Sequence, residues 1–281
     1  MKMDQPIQAK QPQAKSSADT VIITPTLGDR PSIERTIDSV RSIGGTRVKH
    51  VIVCPSRQQA ILQARFPGCE VHAEQEKCGV FQAVNDGMWS TMGECKYVGY
   101  INDDDYWLPS FARLFELLDS APELAVAYAR VLFVDEENRP LFESTSSPRY
   151  QAFKTLLASG AVIITQQATL VRREVFASLS GFDNSYLLVA DSDFWLRTID
   201  AGHQMGFVNQ ACAAYMIQGG QLSSNPELAK GEYDRLLQQH SIRKDWKAYI
   251  EFMRYRISNL PNYLKRFRNR RLSKVKSLLS N

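Results

Sequence analysis

Hydrophobic residues along the chain come in short clusters, and the spacing within each cluster predicts its element. TVIITPTL, residues 20–27, is a β-branched run ended by Pro and Gly, which reads as a buried strand. In the PSIERTIDSVRSI stretch that follows, Ile33, Ile37 and Val40 share one helical face, and Pro31 suits a helix start. VKHVIVCPS, residues 48–56, predicts a second strand and turn. The stretch around Ile61, Leu62 and Phe66 predicts a helix, and EVHAE a weaker third strand. Val80, Ala83, Val84 and Met88 recur at helical spacing, and Tyr97, Val98, Tyr100 and Ile101 form a fourth strand. Strands and helices alternating at this length imply βαβ units. The expected fold is α/β, with a mostly parallel central sheet flanked by helices.

The second half is less regular. FARLFELLDS predicts a helix after Pro109, and LAVAYARVLFVD one long strand or a strand pair, with DEENRPLFES as a turn and return. The stretch from Ser147 to Phe176 predicts a loop, a strand and a short helix. GFDNSYLLVADSDFWLRTIDAG leads into a helix holding Asp191, Phe194, Trp195, Leu196 and Ile199. HQMGFVNQACAAYMIQGGQLSS gives a further strand and a Gly-Gly turn.

Bulk charge adds little, since the 281 residues carry a formal net charge of only +4. The five cysteines form no CxxC pair, which argues weakly against a disulfide framework and suits a reducing compartment. No zinc-type site is visible. Residues 1–19 are polar, rich in Gln and Lys, and lack the apolar core of a secretory signal; they read as a disordered leader. No apolar run reaches the roughly eighteen residues of a spanning helix. The expected location is cytoplasmic.

Local charge is more telling. In YVGYINDDDYWLP an apolar strand runs into three consecutive carboxylates, Asp103, Asp104 and Asp105. Ligands of parallel α/β sheets gather beyond the carboxyl ends of the strands, where this cluster falls. Carboxylates this close repel unless solvated, protonated or neutralised. An acidic loop alone is a weak signal. A divalent cation such as Mg²⁺ or Mn²⁺ is the economical neutraliser where a phosphate-bearing substrate is also held.

Several segments, in order, resemble the inverting glycosyltransferases of family 2, which have the GT-A fold. Thr24, Pro25 and Thr26 resemble the first-strand motif at the nucleotide pocket. Gly79 to Gly87 resembles the "GiydAmNkG" helix, and INDDDYWLP the "LNsDDxxxP" stretch. GFDNSYLLVADSDFWLRTIDAG resembles "GxFDexfxxaaDydlwlRlxxxG", and Gly219, Gly220 and Ser223 a late "GGxS" turn. The resemblance covers roughly residues 20–225. It implies that Asp105 is the direct metal ligand, with Asp103 or Asp104 facing the donor ribose or a metal-bound water. Asp103 with Asp105 also satisfies an Asp-x-Asp form. It further implies that Asp191 is the catalytic base and Asp193 a second acidic position, and that Asn85 borders the donor. Arg30 is placed to reach a base or phosphate, or to sit in solvent. Gln167 matches a family Gln, whose neighbouring His is replaced here by Gln166. Trp195 supports the base, lines the acceptor site or packs in the core. Chemistry alone agrees with a separate base, because an attacking hydroxyl must lose its proton; Asp191 would also serve as a plain N-cap.

Two departures stand out. Most relatives carry an Asp after the second strand that contacts the nucleobase; Cys54 and Pro55 occupy that region here, and neither accepts a hydrogen bond as a carboxylate does. Lys77 and Cys78 stand where many members have Asp-x-Gly. The departure at Cys54 motivates a rival reading, a degenerate GT-A domain that binds or scaffolds without catalysis.

From Pro261 to Asn281 there are seven Lys or Arg and no Asp or Glu. Leucines interrupt the charge, and Trp246, Tyr249, Phe252 and Tyr255 lie upstream. The pattern suits a basic amphipathic helix on an anionic membrane surface, or a structural helix. No nucleic-acid partner is expected. The expected organisation is a leader (1–19), a GT-A domain (20–230) and a helical basic C-terminal region (231–281). The expected reaction is metal-dependent inverting transfer of a sugar from a nucleoside diphosphate sugar, with UDP favoured, to a hydroxyl of a glycan or lipid-linked saccharide. The enzyme would sit in the cytoplasm or peripherally on the cytoplasmic membrane face.

Overall fold

Strands β1 (Thr20–Pro25), β2 (Val48–Pro55), β3 (Glu70–Glu74) and β4 (Tyr97–Tyr100) pair in parallel, in the order β3-β2-β1-β4. Helices α1 (Ile33–Gly44), α2 (Ser56–Arg65) and α3 (Val80–Thr91) make the crossovers. The computed structural model describes residues 18–74, 79–219, 225–243 and 245–267. The leader up to Ser17, Lys77, Cys78, Gly220, Ser223 and the tail from Arg268 lie outside the described residues.

β1 is buried along its whole length, as a central parallel strand covered on both faces must be. Its side chains alternate between layers. Val21 and Ile23 pack with Val84 and Met88 of α3, while Ile22 packs with Val40, Trp107 and Phe111. α1 buries Ile33, Ile37 and Val40, the face its spacing predicts. α3 lies unusually close to the sheet because residue 87 is glycine. A Cβ there would stand 2.7 Å from Val53 Cγ2 and 3.0 Å from Ile23 Cδ1.

The second half extends the same sheet. It adds β5 (Tyr106–Trp107), α4 (Ala112–Ser120), β6 (Leu124–Val134), β7 (Pro140–Glu143), α5 (Phe153–Leu157), β8 (Thr169–Arg172), α6 (Arg173–Ser178), α7 (Ala190–Asp200) and β9 (Gln204–Met216). The sheet continues β4-β8-β6-β9-β5, with β7 on β6. Strands β1, β2, β3, β4, β6 and β9 run one way and β5, β7 and β8 the other, so the sheet is mixed but mostly parallel. Helices α8 (Pro226–Gln239) and α9 (Trp246–Ser258) follow, and residues 260–267 are also helical. α8 starts with Pro226 behind an Asn225 cap, and α9 behind Asp245, whose carboxylate accepts from Ala248 N at 2.7 Å.

Of the two alternatives for LAVAYARVLFV, one long strand is found, β6. Two local features were not expected. The loop between Ser147 and β8 contains a helix, α5, whose Phe153, Leu156 and Leu157 are buried. The two-residue β5 had no periodicity to announce it; it exists because β9 pairs with it.

Candidate active site

The carboxyl ends of β1, β2, β3 and β4 open into a cleft of about 620 Å³. Pro25, Thr26 and Arg30 line it from the β1 end, Glu74 from the β3 end, and Asp103, Asp104 and Asp105 from the β4 end. The opposite wall carries Gln166, Gln167 and Asp191.

The three aspartates are all buried but are held differently. Thr26 Oγ1 donates to Asp103 Oδ2 at 2.6 Å, and Arg30 Nη1 donates to Asp103 Oδ1 at 3.2 Å and Asp104 Oδ2 at 2.6 Å. Asp104 Oδ2 also accepts from Gln218 Nε2 at 2.7 Å. Asp105 receives Met216 N on Oδ1 at 3.0 Å, and Gln167 Nε2 at 3.0 Å and Asn102 Nδ2 at 3.3 Å on Oδ2. Burial raises the pKa of Asp103, opposed by Thr26 and Arg30. Burial raises Asp105 too, and the neighbouring Asp104 charge adds to it.

Asp191 lies in the first turn of α7, where Ser192 N donates to its Oδ1 at 2.7 Å. Burial pushes its carboxyl up to about 6, against that hydrogen bond. It is not an N-cap. Val189 holds that position, and the free N–H groups of Leu187, Leu188 and Val189 are received by Glu232 of α8 at 2.6, 2.7 and 3.3 Å. Tyr100 links the two walls through its carbonyl, which accepts from Gln166 Nε2. Its buried hydroxyl has a raised pKa, first through burial and then through the charges of Asp191 and Asp105.

Residues 21–180 match the model of glycosyl transferase family 2, which is more than half of the chain. The chain belongs to glycosyltransferase family 2. It is a glycosyltransferase of GT-A-like fold, taking its sugar from a nucleotide-linked donor. S. aureus TarS residues 1–349 in complex with UDP-GlcNAc is similar in structure, at 15% identity and a TM-score of 0.61 over 85% of this chain and 73% of that one. The same protein in complex with UDP gives 15% and 0.60 over 85% and 72%. The mannosyltransferase PcManGT from Pyrobaculum calidifontis, in complex with GDP-Man and Mn²⁺, gives 14% and 0.54 over 97% and 92%. No protein of curated function matches the sequence.

Within this glycosyltransferase, not every position carried over from the family reaches the cleft. Asn85 is turned to the protein instead: its Nδ2 donates to Phe182 O at 2.8 Å and its Oδ1 accepts from Phe182 N at 3.0 Å. The turn that brings Phe182 there needs Gly181, at φ +71°, where a Cβ would stand 2.6 Å from Asn85 Oδ1. Thr24 faces inward, 2.9 Å from His50 Nε2. Asp193 is fully buried, paired with Arg197 Nε at 2.7 Å and contacting His240 Nε2 at 2.9 Å. Trp195 is a core residue stacked edge-on to Phe194, and its Nε1 has no hydrogen-bond partner. Asn85, Thr24, Asp193 and Trp195 therefore hold walls rather than line them.

The cleft also contains a residue the sequence did not single out. Glu74 ends β3 and is in register with Pro55, the neighbour of Cys54. The Cys54 thiol is pushed up to about 11 by burial and next by the Glu74 charge. A carboxylate thus stands one strand away from Cys54 and Pro55.

Oxygen donors from three adjacent carboxylates have the chemistry of a Mg²⁺ or Mn²⁺ site. Among the described residues no three His, Cys, Asp or Glu side chains converge on one point. The fit is to a cation that shares one or two protein oxygens with phosphate and water.

Proposed function

We propose that this glycosyltransferase moves a sugar from a nucleoside diphosphate sugar to a hydroxyl of a glycan or lipid-linked saccharide, in one inverting displacement. The observation that carries this is the placing of Asp105, Asp191 and the buried Tyr100 on one cleft. Asp191 accepts the proton of the acceptor hydroxyl. The hydroxyl oxygen bonds to the anomeric carbon from the face opposite the diphosphate, whose glycosidic C–O bond breaks, and the nucleoside diphosphate leaves with that electron pair. A carboxylate with a pKa near 6 is ionised at neutral pH yet still basic enough for this work.

Asp105, with Asp103, would hold the cation, which when bound offsets the charge of the departing diphosphate. Asp104 and Asp103 face the ribose side, with Thr26 and Pro25 on the nucleoside. Arg30 sits at the mouth, half-exposed, where its second face meets phosphate. We favour UDP, since the TarS structures hold UDP and UDP-GlcNAc; PcManGT, with GDP-Man and Mn²⁺, supports a divalent cation. Among the described residues no helix is long and apolar enough to cross a membrane. A lipid-linked acceptor and the positive C-terminal sequence fit peripheral attachment to an anionic surface on the cytoplasmic face.

The test is donor hydrolysis and transfer with Mn²⁺ or Mg²⁺ and UDP-, GDP- and dTDP-sugars, detecting free nucleoside diphosphate. Metal-dependent release from one donor, lost in Asp105→Ala, is expected. Full transfer by Asp191→Asn would overturn the base assignment. No binding of any nucleotide would favour a scaffolding domain.

A further inference from the structure

The outward face of α9 carries an apolar stripe that the packing of the domain leaves uncovered. Trp246, Tyr249, Met253, Ile257, Leu260 and Leu264 are all exposed, from 41% for Met253 to 68% for Trp246. Steps of three and four residues bring each back to the same side of a helix. The α9 part of the stripe, Trp246 to Ile257, runs for about 17 Å at ~1.5 Å per residue, and a second helical segment, 260–267, follows a turn at Asn259 and carries Leu260 and Leu264.

The opposite face is already committed. Ala248, Tyr255 and Asn259 are buried there. Tyr255 OH donates to Thr145 Oγ1 at 2.5 Å, and Asn259 Oδ1 accepts from Arg130 Nη1 at 3.0 Å. Rotating the stripe inward would break both bonds. Of the four aromatic residues picked out upstream of the tail, Tyr255 is therefore an inward anchor and Phe252 half-buried, while Trp246 and Tyr249 face out.

Charge selects the occupant. By helical spacing Arg256 borders the stripe on one side and Arg254, paired with Glu251 at 2.8 Å, on the other; Lys265 lies in the following helical segment, and all three basic residues are exposed. From Phe252 to Asn281 the sequence has nine Lys or Arg and no Asp or Glu. Two copies meeting through this stripe would bring like-charged borders together; an anionic bilayer would neutralise them while its acyl region took the apolar side chains.

We infer that this stripe is the membrane-facing surface of the enzyme, with α9 lying in the plane of an anionic bilayer interface. The inference rests on the peripheral-attachment part of the reading above and is independent of glycosyl transfer.

The test is flotation of the full chain with phosphatidylcholine vesicles, with and without phosphatidylglycerol, following the tryptophan emission that Trp246→Ser removes. Binding to the anionic vesicles and a blue shift are expected. The Met253→Glu/Ile257→Glu double variant should lose affinity by roughly tenfold or more, with an unchanged melting temperature. Should that variant fold poorly, Trp246→Ser probes the same stripe at its most exposed residue. If the wild type binds and both variants bind equally well, the stripe is overturned while attachment through charge alone stands. If the wild type ignores anionic vesicles, both the stripe and the peripheral reading fall. A wild-type dimer that the double variant converts to monomer, with no vesicle binding, would assign the stripe to a second copy instead.

Discussion

Gln167 donates its side-chain amide to Asp105 Oδ2 at 3.0 Å, while the backbone N–H of Met216 holds Oδ1 at the same distance. The carboxylate proposed to meet the cation is therefore oriented before anything binds. Groups that orient a metal ligand are typically worth ten- to a hundredfold in affinity. Gln167→Leu should weaken Mn²⁺ binding by about tenfold, measured by calorimetry in the presence of nucleoside diphosphate. Unchanged affinity would mean that Asp105 is not the ligand or is oriented by Met216 alone.

The acid limb of activity should belong to Asp191. Burial raises its pKa, so the protonated form persists to higher pH than for an ordinary aspartate, and only the ionised form accepts a proton. Transfer should rise with pH up to about 6 and then level off. Asp191→Asn should lower the plateau by about a hundredfold or more and abolish the limb. A kcat/KM profile flat through this range in the wild type would remove Asp191 from the proton transfer.

Glu74 should read the nucleobase. A carboxylate accepts N–H groups, and uracil offers one at its imide edge. Hydrogen bonds to charged groups contribute about 1.5–3 kcal/mol, so Glu74→Ala should weaken UDP binding by roughly tenfold. Titrating UDP, GDP and dTDP against both proteins checks this. Equal losses for ribose 5-phosphate, which has no base, would sink the assignment.

Asp193 should matter for stability rather than for donor binding. Removing one member of a buried charge pair leaves the other uncompensated, at a cost of about 3–5 kcal/mol. Asp193→Ala strips Arg197 and His240 of their shared partner and should lower stability by roughly 3 kcal/mol in urea unfolding. Nucleotide affinity of the folded fraction should be unchanged.

The parallel half was legible because each of its strands and helices repeats its own period. TVIITP, VKHVIVCP and YVGY lie where the apolar runs put them, and the acidic cluster falls at a strand end as expected. What could not be read were relations between elements. EVHAE showed a weak strand, but not that its last residue would pair in register with Pro55 and bring a carboxylate to the cleft. The resemblance put Asn85 beside the donor without saying that Phe182, nearly a hundred residues on, would occupy both ends of its amide. Of the three roles open to Trp195, base support, acceptor lining or core, its burial fits the core, and Asp193, carried over as a second acidic position, is buried in α7 as well.

Glu232 receives three successive backbone N–H groups just ahead of Asp191, and it comes from α8, well past the end of the family-matched segment at residue 180. The segment leading to the proposed base is thus held from α8, while the acidic cluster follows β4. A chain cut before Pro226 would keep its grip on the donor and lose the anchorage of its proton acceptor.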